Sequence, residues 1–86
     1  NRESGFGRYD VIMEPKKKEL PAIIMEFKVF NKRREKSLEE TAEAALKQIE
    51  EKQYEETLIS RGIEAERIRK YGFAFLGKEV LIEERR

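Results

Sequence analysis

Residues 23–30, IIMEFKVF, are the most apolar strand candidate in the chain, and they constrain its fold more than any other stretch. Ile23, Ile24, Met25, Phe27, Val29 and Phe30 suit a strand held inside a sheet, where β-branched and aromatic side chains pack well. Yet Glu26 and Lys28 sit among them. Glutamate and lysine are almost never fully buried unless paired, and an ionised group in a dry interior is costly. A strand of this kind must give its two charges a partner or a task.

Side chains alternate across a strand, so Ile24, Glu26, Lys28 and Phe30 share one face. Ile23, Met25, Phe27 and Val29 share the other, which is wholly apolar and is expected to meet the principal helix. Upstream, YDVIME (9–14) reads as a second strand, with Asp10, Ile12 and Glu14 on one face and Tyr9, Val11 and Met13 on the other. The connection PKKKELP is bounded by Pro15 and Pro21, neither of which can donate in a central ladder. So short a link implies antiparallel pairing. With the turn centred near Lys18, Glu14 faces Ala22, Ile12 faces Ile24 and Asp10 faces Glu26.

Directly opposed residues have Cβ atoms ~4.5–5.5 Å apart, and like charges at that distance destabilise a sheet. The two carboxylates need an offsetting charge, which a hard divalent cation held by carboxylate oxygens supplies. Lys28 lies one step along the same face. A slip of one residue would send Asp10 to the opposite face, so the expectation depends on register. The ordinary alternative is an exposed face bearing a weak Glu–Lys ion pair. Three features argue against it: apolarity on both faces of the strand, the facing Asp10, and the glycine turn in Gly7-Arg8-Tyr9-Asp10.

Beyond the charged linker NKRREK, Ser37 is placed to cap a helix, with Glu40 completing a capping box. Leu38, Ala42, Ala45, Leu46 and Ile49 follow at helical spacing. The pattern predicts a helix over residues 37–60, stopped by Gly62, with a bend near Gln53 where the stripe loses its apolar residues. Residues 63–69 allow one helical turn. From Lys70, KYGFAFLGKEVLIEE reads as a hairpin in which Tyr71, Phe73 and Phe75 alternate with Gly72 and Ala74, and Gly77-Lys78 suits a two-residue type II′ turn. The sum is an α/β fold: a mixed β-sheet of two hairpins packed against one long helix, with residues 1–8 as a loop or frayed end.

Composition narrows the function. A chain of 86 residues allows one domain with a marginal core, and 43% charged residues put most of it at a solvated surface. A net charge of +1 excludes a globally basic nucleic-acid binder and leaves two local basic clusters, residues 16–18 and Lys32, Arg33 and Arg34. The absence of cysteine excludes a disulfide framework and a thiolate zinc site, and fits a cytoplasmic setting. No apolar run approaches the ~20 residues that span a bilayer, so no membrane partner is expected. The first residue is Asn, and a fragment of a longer polypeptide is expected.

Asp10 at the start of one strand and Glu26-Phe27-Lys28 on the next resemble the signature of the PD-(D/E)XK nuclease superfamily. The likeness is closer to the nuclease-like domain at the C-terminus of predicted bacterial AAA-ATPase-like proteins. It runs through Gly7, Arg8 and Asp10, then Ala45-Leu46-Lys47-Gln48-Ile49 and Tyr54, then Gly72-Phe73-Ala74-Phe75. This resemblance implies a restriction-endonuclease-like core and hydrolysis of nucleic acid, DNA in expectation, assisted by Mg²⁺ or Mn²⁺. It implies that Asp10, Glu26 and the Phe27 main-chain carbonyl ligate the metal and that Lys28 orients or activates the attacking water. Gln48 would lie near metal and substrate, or else cover apolar surface at the border of the stripe. Lys32, Arg33 and Arg34 would add phosphate contacts. Tyr54 is expected to pack, since on a straight helix it points away from Gln48.

The superfamily core resembles αβββαβ, and the nine residues before Asp10 are too few for its leading helix and strand. The charge-bearing face is therefore expected to be under-covered. A homodimer is one expectation, and completion by the ATPase region of a parent polypeptide is another. Two alternatives stand beside hydrolysis: a catalytically inactive nuclease-fold module binding nucleic acid or protein, and a small α/β interaction module whose E-x-K is a surface ion pair.

Overall fold

The apolar run forms an interior strand of a four-stranded mixed sheet. The computed structural model describes residues 8–85; the N-terminal loop expectation and Gly7 lie outside them. In chain order the elements are β1 (Arg8–Met13), β2 (Ala22–Val29), α1 (Leu38–Glu51), α2 (Tyr54–Ser60), a 3₁₀ turn (Ala65–Arg67), β3 (Ile68–Leu76) and β4 (Glu79–Arg85). The strands lie in the order β1-β2-β3-β4. β1/β2 and β3/β4 pair antiparallel, while β2 and β3 pair parallel, the arrangement that requires a long crossover, here through the helices.

Local chemistry sets the ends of these elements. The Ser37 hydroxyl accepts the Glu40 N–H at 3.3 Å, and the Glu40 carboxylate reaches back to the Lys36 N–H at 2.9 Å, one residue earlier than a capping box requires. The helix expected over residues 37–60 is interrupted at Lys52 and Gln53. Gln53 takes φ 59° and ψ 33°, a left-handed conformation that residues other than glycine seldom adopt. Gly62, at φ 100°, follows the end of α2, and Gly77, at φ 59°, opens the two-residue turn between Leu76 and Glu79.

α1 packs on the face of the sheet that carries Ala22, Ile24, Glu26 and Ala74, burying Ala42, Ala45, Leu46 and Ile49. This overturns the expectation that the wholly apolar face of β2 meets the helix and that the charge-bearing face is under-covered. The reason is steric. Gly72 lies beside Glu26 and Ala74 beside Lys28 in the β2/β3 register, so with Ala22 they make a low floor on the charged side. A Cβ on Gly72 would come within 2.5 Å of the Ala42 carbonyl oxygen and 3.0 Å of Leu46 Cγ. Close approach of this kind needs small residues, and the other face has none to offer. There Tyr9 stacks on Phe27 at 5.5 Å between ring centroids, and Phe27 meets Phe73 edge-on at 4.7 Å. Met13, Val29, Val80 and Ile82 on that side remain about half exposed. Below the helices, Ile24, Leu46, Ile49, Leu58, Ile63 and Ile68 close the core, with Ile12 and Tyr54 packed against it.

Candidate functional site

Asp10 and Glu26 are directly opposed in the β1/β2 register, and both are fully buried, with 0% of their surface exposed. Strand alternation points both beneath the junction of α1 and α2. Two carboxylates there demand positive charge, and Lys52 supplies it from the end of α1. Its ammonium lies 2.7 Å from Asp10 Oδ2 and 3.6 Å from Glu26 Oε2. The Tyr54 hydroxyl donates to the same Asp10 oxygen at 2.5 Å. The Lys52 Nζ also stands 5.8 Å from the centroid of the Tyr54 ring.

On a continuous helix, residues 52 and 54 would point about 200° apart. The left-handed Gln53 between them breaks that path, and both side chains converge on one carboxylate oxygen. Tyr54 thus does more than pack, contrary to expectation, and Lys52 was not foreseen as a site residue. The one signal in the sequence was the loss of the apolar stripe near Gln53.

Lys28 shares the face of Glu26, but its partner is a third carboxylate. Its ammonium donates to Glu35 Oε2 at 2.6 Å, while Glu35 Oε1 accepts the Asn31 N–H at 2.8 Å and the Thr41 hydroxyl at 3.1 Å. Glu35 therefore ties together the end of β2, the loop after it and the first turn of α1. With Glu26 fully buried and the Lys28 side chain only 13% exposed, the reading of E-x-K as a solvated surface pair fails.

Burial pushes the Glu35 carboxyl up, but the hydrogen bond from Lys28, the Asn31 amide, the Lys28 charge and the Thr41 hydroxyl together outweigh it. The group is held below its ordinary value of 4.5. Because the folded carboxyl binds its proton less readily than the unfolded one, its stabilisation is complete above pH 4.5. It is lost as pH falls through the lower folded value. Chemical denaturation of wild type and Glu35→Gln across pH 7 to 3 should show a stability difference at neutral pH that shrinks at the acid end. A difference independent of pH would contradict the ion-pair account.

The other expected residues are spread around this centre. The Phe27 ring faces the opposite side of the sheet, so its side chain takes no part in the cluster around Asp10 and Glu26. Gln48 is half-buried on α1, one turn before Lys52, and its carbonyl accepts the Lys52 N–H at 3.0 Å; the two residues share a helical side. Lys32, Arg33 and Arg34 are exposed in the loop that follows the Lys28 end of β2. Residues 16–18 lie exposed at the opposite end of the β1/β2 hairpin.

Among the described residues no group of three or more His, Cys, Asp or Glu side chains is arranged to hold a metal, so a cation at this centre would rest on the carboxylate pair. That donor set suits Mg²⁺, which typically takes one or two carboxylates and completes its shell with waters and substrate phosphates. The Lys52 ammonium already brings positive charge to within 4 Å of an oxygen of each acid.

The family model described as the PD-(D/E)XK nuclease superfamily matches residues 1–85. No curated protein and no solved structure matches the chain. No helix among the described residues is long and apolar enough to cross a membrane.

Proposed function

Because the chain belongs to the PD-(D/E)XK nuclease superfamily, we propose that it hydrolyses phosphodiester bonds of nucleic acid, DNA in the first instance, with Mg²⁺ or Mn²⁺ as cofactor. The observation that carries this reading is the fully buried, directly opposed pair of Asp10 and Glu26 with a cation drawn between them. Asp10 and Glu26, with the Phe27 main-chain carbonyl, are the groups that would hold the metal. A divalent ion supplies Lewis acidity toward the scissile phosphate and a lowered pKa for the attacking water. Lys28, fixed by Glu35, presents a compact positive charge one register step from the carboxylates; it orients the water and stabilises negative charge as it develops on the phosphate. Lysine has three N–H donors, so the bond to Glu35 leaves two for this task. Gln48 contacts substrate from α1, and Lys32, Arg33 and Arg34 bind backbone phosphates beside the site, adding a salt-dependent affinity without sequence preference.

A second reading is favoured by one observation. The acid pair already has an ammonium of its own, as a nuclease fold retained for binding alone would need. One assay separates the two. Supercoiled plasmid and single-stranded DNA are incubated with the protein in Mg²⁺ or Mn²⁺, with a chelator control. Cation-dependent nicking that the chelator abolishes is expected. DNA binding with no cleavage at any cation concentration would establish the inactive module instead.

A further inference from the structure

We propose that the ion pair between Lys70 on β3 and Glu55 on α2 is a positioning device. It holds the first turn of α2 against the sheet, and so sets the Tyr54 hydroxyl on Asp10 Oδ2. Its bearing on a cation rests on the metal-binding reading of Asp10 given above.

The need for an anchor follows from the helix itself. α2 has seven residues, too few to be stable alone in water. It starts after the left-handed Gln53, which gives it no side-chain cap, and of its residues only Leu58 is buried. Yet its first side chain is held to hydrogen-bond accuracy, with the Tyr54 hydroxyl 2.5 Å from Asp10 Oδ2.

Glu55, next in sequence after Tyr54, supplies the hold. Its Oε1 accepts from the Lys70 ammonium at 2.8 Å. The Lys70 side chain is 10% exposed and that of Glu55 34%, so the pair is partly shielded from water and salt. The pair of Arg61 with Glu14 is more open and lies at the end of α2 far from Tyr54.

Lys70 is also rooted beside the acids. In the β2/β3 register it lies next to Ile24, and Gly72, two residues on, lies next to Glu26. Asp10, Glu26 and Lys70 therefore stand on the helix-facing side of three adjacent strands. The sheet fixes Lys70 relative to the acids, and Glu55 passes that placement to Tyr54. Hydrogen bonds to a metal-ligating carboxylate orient it, and losing such a partner typically costs 10–100-fold in metal affinity.

The test combines NMR of the protein labelled with ¹³C at tyrosine Cζ, without metal, and calorimetry of Mn²⁺ binding without DNA. Tyr54 is identified among the three tyrosines by the resonance lost in Tyr54→Phe. Lys70→Met should move the Tyr54 resonance toward its position in the unfolded chain, leave that of Tyr9 in place, and weaken Mn²⁺ binding by about tenfold. A folded variant that melts lower but keeps the Tyr54 resonance unmoved overturns the proposal, since the pair would then serve stability alone. A resonance that moves while Mn²⁺ affinity is unchanged overturns the link to the cation. If wild type binds no Mn²⁺ and the resonance still moves, the metal-binding reading falls and the positioning of Tyr54 stands. If Lys70→Met does not fold, Glu55→Gln, at the more exposed partner, decides by the same resonance.

Discussion

Glu26→Gln should remove divalent-cation binding and nucleic-acid cleavage together. The amide matches the carboxylate in shape but carries no charge, so it takes away one of the two acids on which a cation would rest. Asp10 keeps its ion pair with Lys52, so the one carboxylate left to a cation is already engaged by an ammonium. In wild type, a cation at about a hundred times its Kd adds ~2.7 kcal/mol to the folded state. At ~4–8 °C per kcal/mol for a domain of this size, that is a rise of about 10 °C or more in melting temperature. The variant should show no rise, and its cleavage rate should fall by at least ~10³-fold, the scale expected when preorganised charge stabilisation is lost. Its stability in chelator should equal or exceed that of wild type, because the repulsion between opposed carboxylates is gone. A variant that still cleaves would remove Glu26 from the chemistry.

Lys28→Met should separate catalysis from metal binding. Loss of its ammonium is expected to slow cleavage by ~10²–10³-fold, while the cation-dependent rise in melting temperature persists, since the ammonium of Lys28 is bonded to Glu35. The single variant also strands Glu35 in a nearly buried position with its charge uncompensated, a change that costs about 3–5 kcal/mol for a fully buried pair and less here, where Lys28 retains some exposure. Adding Glu35→Gln should restore stability without restoring rate. Kinetics on plasmid substrate and denaturant melts of the single and double variants would show this. Recovery of activity in the double variant would mean that Lys28 acts only by supporting the fold.

How far these features were legible in the sequence depended on the range of the interaction. The facing of Asp10 and Glu26 followed from two strands, a short proline-bounded link and the two-residue alternation of side chains, all local. The side on which α1 docks did not. Apolar content pointed to the face of Phe27 and Val29, but close approach of a helix is decided by small residues. Gly72 and Ala74 fall beside Glu26 and Lys28 only through a parallel pairing across the whole helical crossover. The alternation of aromatic and small residues in β3 was visible; its registration against β2 was not.

The helix interruption was foreshadowed by the failing apolar stripe, yet nothing marked Gln53 for a left-handed conformation, a position where glycine or asparagine would have been the usual signal. Without that turn Lys52 and Tyr54 could not have been brought to Asp10. Glu35 was hidden differently, as one acid within a basic linker, and its importance comes from bonds to three separate parts of the chain.

The most direct measurement is the anomalous scattering of Mn²⁺ soaked into crystals of the protein. A single peak is predicted between Asp10 and Glu26, within about 2–2.5 Å of an oxygen of each. Crystals that take up Mn²⁺ elsewhere while no peak forms at this pair would contradict the account.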